Sequence, residues 1–254
     1  MNSPAKLLQK VMAKAGMTLI PSWRMDHRDA ALHYQKLFRQ YQVDLVLDVG
    51  ANEGQFRDFL RWEVGYAGWI MSFEPAPEPA AILQRRAMSD PKWRILAQAL
   101  GSEAGVQKLN IAGHSTFTSL RSPRFDQTKL GNAKRETIRS VDVEIVTLDE
   151  VLPDLVSVAK ASRPFLKLDT QGYDLEVVRG ATKTLSSIVA LQAELSIVPL
   201  YEDMPNYIET IAALQAYGFQ VSNFFPVASE ANLRLLETDC VMVRPDRMVG
   251  GNQA

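Results

Sequence analysis

The sequence has a single cysteine, almost no net charge and no long apolar run, and each shortage excludes a class of protein. The cysteine, Cys240, lies in an apolar stretch and cannot form a disulfide within the chain, so we expect it to be buried in a strand. Because 28 Lys and Arg residues are balanced by 29 Asp and Glu, no basic field would gather nucleic acid. No apolar run approaches the roughly 20 residues that cross a bilayer. We therefore expect a cytoplasmic protein with no transmembrane segment and no nucleic-acid partner.

The chain length and the absence of repeats predict one large domain with a small appendage. The 254 residues suffice for an α/β domain with a substantial core, and there is no Gly/Ser-rich linker. Residues 1–42 are expected to form an N-terminal helical appendage, and residues 43–254 the main domain. Residues 1–24 contain an apolar stripe at helical spacing, and all charged residues of this segment are basic. Two interpretations of the segment stay open. This segment is either a helix docked on the main domain or a membrane-surface or targeting helix.

Short apolar strands alternate with amphipathic helices in the first half of the main domain. Strands are predicted at residues 45–47, 69–73 and 95–100, with a helix after each of the first two. This βαβαβ pattern requires a parallel sheet. The stretch from Gly101 to Val146 is expected to be an inserted hairpin with a loop, with a helical pattern only around residues 124–136.

The second half continues the alternation and ends in an antiparallel pair. A capping box at Thr147 and Glu150 predicts a helix start. Further elements are expected as strands at 165–169 and 188–195, a helix at 206–217, and a closing hairpin at 219–225 and 239–243. The predicted fold is α/β, with a seven-stranded, mainly parallel sheet and helices on both faces.

The loop after the first strand carries the features of a nucleoside-binding loop. Gly50 and Gly54 would allow a tight turn and a close approach to the ligand, and Asn52 could cap the next helix. Free backbone N–H groups of the loop would face a ligand carboxylate. Asp48 stands where a dinucleotide fingerprint has its first glycine. Its charge would repel a pyrophosphate but attract the ammonium and sulfonium of S-adenosylmethionine.

Other candidate ligands follow the remaining strands. Glu74 lies twenty residues beyond Gly54, the interval at which an acidic residue binds the ribose hydroxyls. Gly101, Asp169 and Glu194 lie at or near the ends of later strands. Because ligands of open parallel sheets bind outside the carboxyl ends of the strands, we expect these residues to cluster.

Five separated sequence blocks carry a family resemblance. They are V-L-D-V-G-A-N-E-G-Q-F at 46–56, F-E-P at 73–75, V-T-L-D-E-V-L at 146–152, K-L-D-T-Q-G-Y-D-L-E-V-V-R-G-A at 167–181 and Y-E-D-M-P at 201–205. Over residues 43 to about 243 the chain resembles the FkbM family of methyltransferases. The resemblance implies a class I methyltransferase (Rossmann-like) fold, S-adenosylmethionine as methyl donor, and O-methylation of a sugar, polysaccharide, glycolipid or polyketide-like product.

Site residues are carried onto this sequence from the same blocks and from the strand ends. The candidate cofactor-binding residues are Asp48, Gly50, Asn52, Glu53, Gly54, Glu74, Gly101, Asp169 and Gln171, with Gly172 beside them. The chain departs from the family at 113–119, where members often have a Ser-rich loop and this sequence has His114.

Methyl transfer to an alcohol also needs a group that takes the hydroxyl proton. The catalytic candidates are His114, Asp169 and Glu194. His114 is the natural base at neutral pH. Alternatively, Asp169 or Glu194 could itself act as the base or as a hydrogen-bond acceptor. The two carboxylates, with Asp203 as a further ligand, could instead share a divalent cation that lowers the pKa of the hydroxyl. Two other functions stay open, namely a non-catalytic nucleoside-binding module and a nicotinamide-dependent oxidoreductase.

Overall fold

A seven-stranded sheet forms the centre of the structure, a computed structural model that describes residues 27–125 and 136–249. The strands, numbered along the chain, are β1 (Leu45–Val49), β2 (Trp69–Phe73), β3 (Trp93–Leu96), β4 (Ala99–Leu100), β5 (Gly105–Ala112), β6 (Thr137–Val146), β7 (Pro164–Leu168), β8 (Ala190–Ser196), β9 (Gln220–Ser229) and β10 (Leu235–Val243). The large sheet has the order β3-β2-β1-β7-β8-β10-β9, and only β10 runs antiparallel to its neighbours. The strand order reverses between β1 and β7, where this fold class binds its ligands.

Helices cover both faces of this sheet, which confirms the predicted α/β fold. They are α1 (Arg28–Gln40), α2 (Gln55–Phe59), α3 (Pro77–Ala87), α4 (Leu148–Ala159), α5 (Asp174–Arg179) and α6 (Tyr207–Ala216). A π-helical turn at Leu60–Val64 prolongs α2. The predicted capping box is present, because Thr147 accepts from the backbone N–H of Glu150 and Glu150 from that of Thr147. These reciprocal bonds satisfy two N–H groups that the first turn of α4 would leave without partners.

Side chains alternate along each strand and so divide the core in two. On one face, Leu45, Leu47 and their neighbours pack against α4, α5 and α6. On the other face, Val46 and Phe165 meet α1 and α2 in a cluster rich in aromatic rings. Helix α1 is thus part of the folded core, with Tyr34 and Leu37 buried against the sheet.

The predicted third strand at 95–100 is wrong in its extent. Strand β3 ends at Leu96, and the chain then leaves the large sheet. Ala99–Leu100 instead pairs with β6, which pairs antiparallel with β5 in a second sheet of three strands. The apolar run 95–100 therefore contains two short strands of different sheets, a division that periodicity alone does not show. The β5 and β6 pair is the predicted inserted hairpin.

Two sequence expectations concern segments that the structure does not describe, wholly or for the most part. The apolar stripe of residues 1–24 lies outside the described residues, and so does most of the helical pattern at 124–136. Within the described part of the chain, no helix is both long enough and apolar enough to cross a membrane.

Candidate functional site

The register of four adjacent strands places a row of polar side chains across one face of the large sheet. Asp48 on β1 is paired with Ser72 on β2 and with Lys167 on β7, and Lys167 is paired with Gln192 on β8. All four are nearly inaccessible to solvent. Two residues further along the chain come Gly50 after Asp48, Glu74 after Ser72, Asp169 after Lys167 and Glu194 after Gln192. Because side chains alternate with a period of two, the polar groups extend on this face toward the carboxyl ends of the strands.

A cavity of about 1140 Å³ opens at these carboxyl ends. Its walls come from the loop after β1, the ends of β2, β7 and β8, residues 115–120, helix α1 and the pair β9–β10. Pockets for small molecules usually measure roughly 300–1000 Å³. The cavity therefore has room for a nucleoside cofactor and a second molecule together.

The loop after β1 lies close to the loop after β7. Gly50 has a φ of +77°, and a Cβ atom there would lie 1.9 Å from the backbone oxygen of Asp169, so only glycine fits. The expectation of free N–H groups in this loop is wrong for three residues. The N–H groups of Gly50 and Ala51 donate to the carbonyl of Phe73, and that of Asn52 donates to Glu74. These bonds hold the loop in shape, so these three N–H groups do not face a ligand.

Glu74 is buried at the end of β2 and lines the cavity. Its carboxylate accepts from the N–H of Asn52 at 2.7 Å and from the N–H of Ala76 at 2.8 Å, one bond to each oxygen. Burial raises the pKa of Glu74 to about 7, against the lowering effect of these two hydrogen bonds. Each oxygen keeps a lone pair, so the carboxylate can still accept from the hydroxyls of a ribose.

Asn52 has a different role from the expected helix cap. Helix α2 begins at Gln55 after Gly54, and no side chain caps it. Asn52 instead adopts a left-handed backbone with φ of +46°, and its Oδ1 is buried without a hydrogen-bond partner among the described residues. A buried amide oxygen without a partner destabilises the protein unless a ligand donates to it. This orphaned acceptor and the Glu74 carboxylate, both in the cavity wall, fit the hydroxyl and amine donors of S-adenosylmethionine.

Lys167 forms the centre of the site and was not among the predicted site residues. Its Nζ lies 3.3 Å from Asp48 Oδ1 and 3.1 Å from Asp169 Oδ2, and it donates to the carbonyl of Gly50 at 3.1 Å. Burial alone would lower the pKa of Lys167, but the Asp169 and Asp48 carboxylates outweigh it and raise the pKa. The ammonium thus connects the loop after β1 to the end of β7. A lysine inside an otherwise apolar strand was the sequence signal for it, because a buried lysine needs charged partners.

Gln171 connects two of the predicted catalytic carboxylates. Its Nε2 donates to Glu194 Oε2 at 2.6 Å and to Asp169 Oδ1 at 3.2 Å. Its Oε1 accepts from the hydroxyl of Tyr201 at 2.8 Å, and its carbonyl accepts from Ser119 Oγ at 2.8 Å. The structure therefore brings Asp169, Gln171 and Glu194 together, as the sequence predicted.

Carboxylates dominate the part of the cavity beyond this network. Strand β10 places Asp239 directly opposite Glu194, and Glu237 follows on the same face. Burial raises the pKa of Glu194 well above its usual value, and the neighbouring carboxylates raise it further. Burial also raises the pKa of Asp239 to about 7. Neither β10 residue was among the predicted site residues, because the predicted strand began only at residue 239, whereas β10 begins at Leu235.

Several predicted site residues do not line the cavity. His114 is exposed, and its Nδ1 lies 2.9 Å from Thr116 Oγ1. Asp48 is fully buried on β1 and is not among the residues that line the cavity. Gly101 lies beside Ile145 and Tyr173, and Gly54 packs tightly against Trp93. The carbonyl of Glu53 accepts from Arg86.

The described residues show no group of three or more His, Cys, Asp or Glu side chains that could hold a metal ion. Asp203, the third ligand considered, is exposed and is not among the cavity residues. The other two ligands considered, Asp169 and Glu194, are bridged by the Gln171 amide.

The fold is similar to that of solved methyltransferases. Magnesium protoporphyrin IX methyltransferase from Synechocystis PCC 6803, solved with bound S-adenosylmethionine, has 10% identity and a TM-score of 0.46, with 96% of this chain and 98% of that chain covered. An rRNA methylase from Streptococcus thermophilus has 12% identity and a TM-score of 0.40, with coverages of 87% and 98%. A SAM-dependent methyltransferase from Aquifex aeolicus has 10% identity and a TM-score of 0.38, with coverages of 96% and 100%. These likenesses concern the fold alone.

Sequence comparison is more specific. A search of curated proteins found no significant match. The family model described as "Methyltransferase FkbM domain" matches residues 48–221, which include the loop after β1, Glu74, Lys167 and the network around Gln171. The match covers more than half of the chain, so the chain belongs to the FkbM family of S-adenosylmethionine-dependent methyltransferases.

Proposed function

We propose that the protein methylates a hydroxyl oxygen of a sugar, polysaccharide, glycolipid or related metabolite. The observation that carries the proposal is the row of carboxylates beside the cofactor loop, with Asp169 and Glu194 joined by Gln171. Carboxylate and amide groups at the wall of a cavity are suited to bind and orient hydroxyls.

The chain's own residues would hold the two substrates side by side. Glu74 and the Asn52 amide oxygen would accept from the cofactor's hydroxyls and amine, and Gly50 leaves space for its close approach. When bound, S-adenosylmethionine supplies a methyl group that its sulfonium already activates. The protein therefore acts chiefly by fixing the acceptor oxygen in line and by managing its proton.

The charge of the cavity favours a neutral or cationic acceptor over a phosphate-rich one. Eight carboxylate residues line it, and Lys167 is the one lysine or arginine among its described lining residues. That lysine is already paired with Asp48 and Asp169. A polyanion such as RNA would meet repulsion at short range. The exposed parts of Phe117 and Tyr173 offer ring surface against which a sugar face can pack.

The test is a panel of acceptors with the purified chain and S-adenosylmethionine. Methyl glycosides of neutral hexoses, deoxyhexoses and amino sugars are compared with sugar phosphates, a primary amine and a thiol, and S-adenosylhomocysteine is quantified. Mass spectrometry then locates the added methyl. We expect methylation of a neutral or amino sugar and not of a sugar phosphate, and parallel reactions with EDTA measure any metal requirement.

Three results would contradict this function. Methylation of the amine or thiol probe alone would contradict an oxygen acceptor. Tight NADH binding without S-adenosylmethionine binding would favour the oxidoreductase. Cofactor binding without turnover on any probe would favour the non-catalytic module. As a site control, Asp169→Asn should lower turnover far more than it weakens cofactor binding, because Asp169 faces the Gln171 network.

A further inference from the structure

The hydroxyl of Tyr34 on helix α1 lies at the face of the large sheet that carries the row of polar side chains. The ring of Tyr34 is 2% exposed and lies within a cage of aromatic side chains. The rings around it belong to Phe38, Phe56, Phe59, Phe165 and Phe225. Because these contacts fix the ring, they also fix the position of its hydroxyl, which donates to Gln192 Oε1.

This bond selects the orientation of the Gln192 amide. A glutamine side chain carries an acceptor oxygen on one side and a donor nitrogen on the other. With Oε1 held by Tyr34, the amide nitrogen is turned to the opposite side, toward Asp239, which lies diagonally across from Gln192 on the neighbouring strand and whose pKa the Gln192 amide lowers. The reversed amide would place its oxygen against the Asp239 carboxylate, so both ends favour the same orientation. Tyr34, Gln192 and Asp239 all line the cavity.

The other carboxylates of this face are engaged differently. Asp169 is paired with the Lys167 ammonium at 3.1 Å and accepts from Gln171. Glu194 accepts from Gln171 at 2.6 Å, and burial together with the neighbouring carboxylates raises its pKa well above the usual value. A carboxylate held by an ammonium is a weakened base, and Glu194 already has the Gln171 amide as its partner. Asp239, with its amide donor, is the carboxylate best suited to receive one.

Asp239 is surrounded by charged and titratable groups from several elements. They are Tyr34 on α1, Lys167 on β7 with Asp169 just beyond it, Asp174 on α5, Glu194 on β8, and Glu237 and Cys240 on β10. Burial and the Asp169 charge raise the pKa of Asp239 to about 7, while the Gln192 amide and Lys167 lower it. A carboxyl that titrates near neutral pH matches the requirement for a general base at that pH.

We propose that Asp239 accepts the proton of the acceptor hydroxyl, and that Tyr34 on helix α1 positions Asp239 through Gln192. The inference rests on the proposed O-methyl transfer. The acceptor oxygen forms its bond to the methyl carbon while its O–H bond breaks and the proton goes to the Asp239 carboxylate. The carbon–sulfur bond breaks, and its electron pair stays on sulfur, which becomes the thioether of S-adenosylhomocysteine. Asp239 is a catalytic residue in this scheme, and Tyr34 is a positioning residue.

The kinetic test uses the most active methyl glycoside of the panel and pH–rate profiles. Asp239→Asn should lower kcat by roughly 10²–10⁴-fold and leave the affinity for S-adenosylhomocysteine within about twofold, which also shows that the variant is folded. Tyr34→Phe should move the acidic limb of the profile to higher pH, because Asp239 loses an oriented donor that lowers its pKa. The rate of this variant should fall most below neutral pH and recover toward the wild-type value at alkaline pH.

Tyr66→Phe is the matched control. Tyr66 packs on the same aromatic cluster, but its hydroxyl donates to the carbonyl of Trp69 at 3.2 Å, and it is not among the cavity residues. A general loss of packing around α1 would affect both tyrosine variants in thermal unfolding. A shift of the pH profile in Tyr34→Phe alone therefore reports the link to Asp239.

A second measurement needs no acceptor. In protein labelled with carboxyl-¹³C aspartate, the Asp239 signal is assigned from its loss in Asp239→Asn and titrated from pH 4 to 9. Tyr34→Phe should raise its midpoint, and Tyr66→Phe should not. An unchanged midpoint in Tyr34→Phe overturns the positioning role, and an Asp239→Asn enzyme within about threefold of wild-type kcat overturns the catalytic role. If wild-type protein methylates no probe, the proposed function and the base role fail together, while the titration still decides the link.

Discussion

Removal of the Lys167 ammonium should lower the free energy of unfolding of the protein, because this group joins strands β1 and β7 at the centre of the sheet. Lys167 is 4% exposed and Asp48 is 0% exposed, and the two are joined at 3.3 Å. In Lys167→Met, Asp48 would keep the hydroxyl of Ser72 at 3.1 Å but no cation. Breaking a buried ion pair by removing one partner costs about 3–5 kcal/mol, because it leaves an uncompensated charge. We expect a loss of that size in the free energy of unfolding.

The assay is urea unfolding at neutral pH, followed by circular dichroism, with two matched variants. Lys108→Met removes a lysine whose ion pair with Asp142 spans 3.7 Å and whose side chains are 78% and 68% exposed. It should cost less than about 1 kcal/mol, because solvent screens such pairs. The double variant Lys167→Met/Asp48→Asn should recover part of the stability, because the remaining amide is neutral and can still bond to Ser72. Equal losses for Lys167→Met and Lys108→Met would refute the reasoning, and so would a double variant less stable than Lys167→Met.

Three further predictions concern other positions. Burial raises the pKa of Glu74 from 4.5 to about 7. As the pH rises, the unfolded state therefore loses this proton before the folded state does, and the stability of the wild type should fall between these two pH values. In urea titrations Glu74→Gln should lack this decline, and at pH 8 it should bind S-adenosylhomocysteine more weakly than the wild type. Thr147→Ala removes one bond of the capping box and should cost about 0.5–2 kcal/mol in the same unfolding assay, and an unchanged midpoint would contradict the role of the cap. Because His114 is exposed outside the cavity walls, His114→Ala should leave kcat within about twofold, and a hundredfold loss would restore it as the base.

The position of the loop after β1 and of Glu74 in the cavity wall could be predicted because the signals for them are local in sequence. The loop from Gly50 to Gly54 follows β1 directly, and Glu74 ends the next strand. The comparison with the family model confirmed the resemblance that these blocks carry. The assigned roles of the individual residues are still predictions, and Asn52 shows the limit of such reasoning. Asparagine is a common helix cap, so a cap was predicted at this position. The helix instead starts three residues later, and the amide oxygen of Asn52 lies buried in the cavity wall without a hydrogen-bond partner among the described residues.

The rest of the cavity, around Tyr34, Gln192 and Asp239, depends on contacts between distant parts of the chain. The bond between Tyr34 and Gln192 joins residues 158 positions apart, and periodicity predicts neither which helix covers the sheet nor which of its faces. His114 was chosen because of its residue type and its polar loop, and neither property reveals exposure. Asp239 opposes Glu194 only through the pairing of β10 with β8, a register that one sequence does not specify.

Calorimetric titration with S-adenosylmethionine tests the central claim most directly, which is that the loop at Gly50 forms the wall of the cofactor site. Two alanine variants are compared with the wild type. Gly50 and Gly65 have φ values of +77° and +75°, but a Cβ at Gly50 would lie 1.9 Å from the Asp169 carbonyl, whereas one at Gly65 would have no atom within 4 Å. Wild type and Gly65→Ala should bind one equivalent with similar affinity, and Gly50→Ala should bind at least about tenfold more weakly, a difference of about 1.4 kcal/mol. Equal affinity in all three proteins, or no binding by the wild type, would contradict the account.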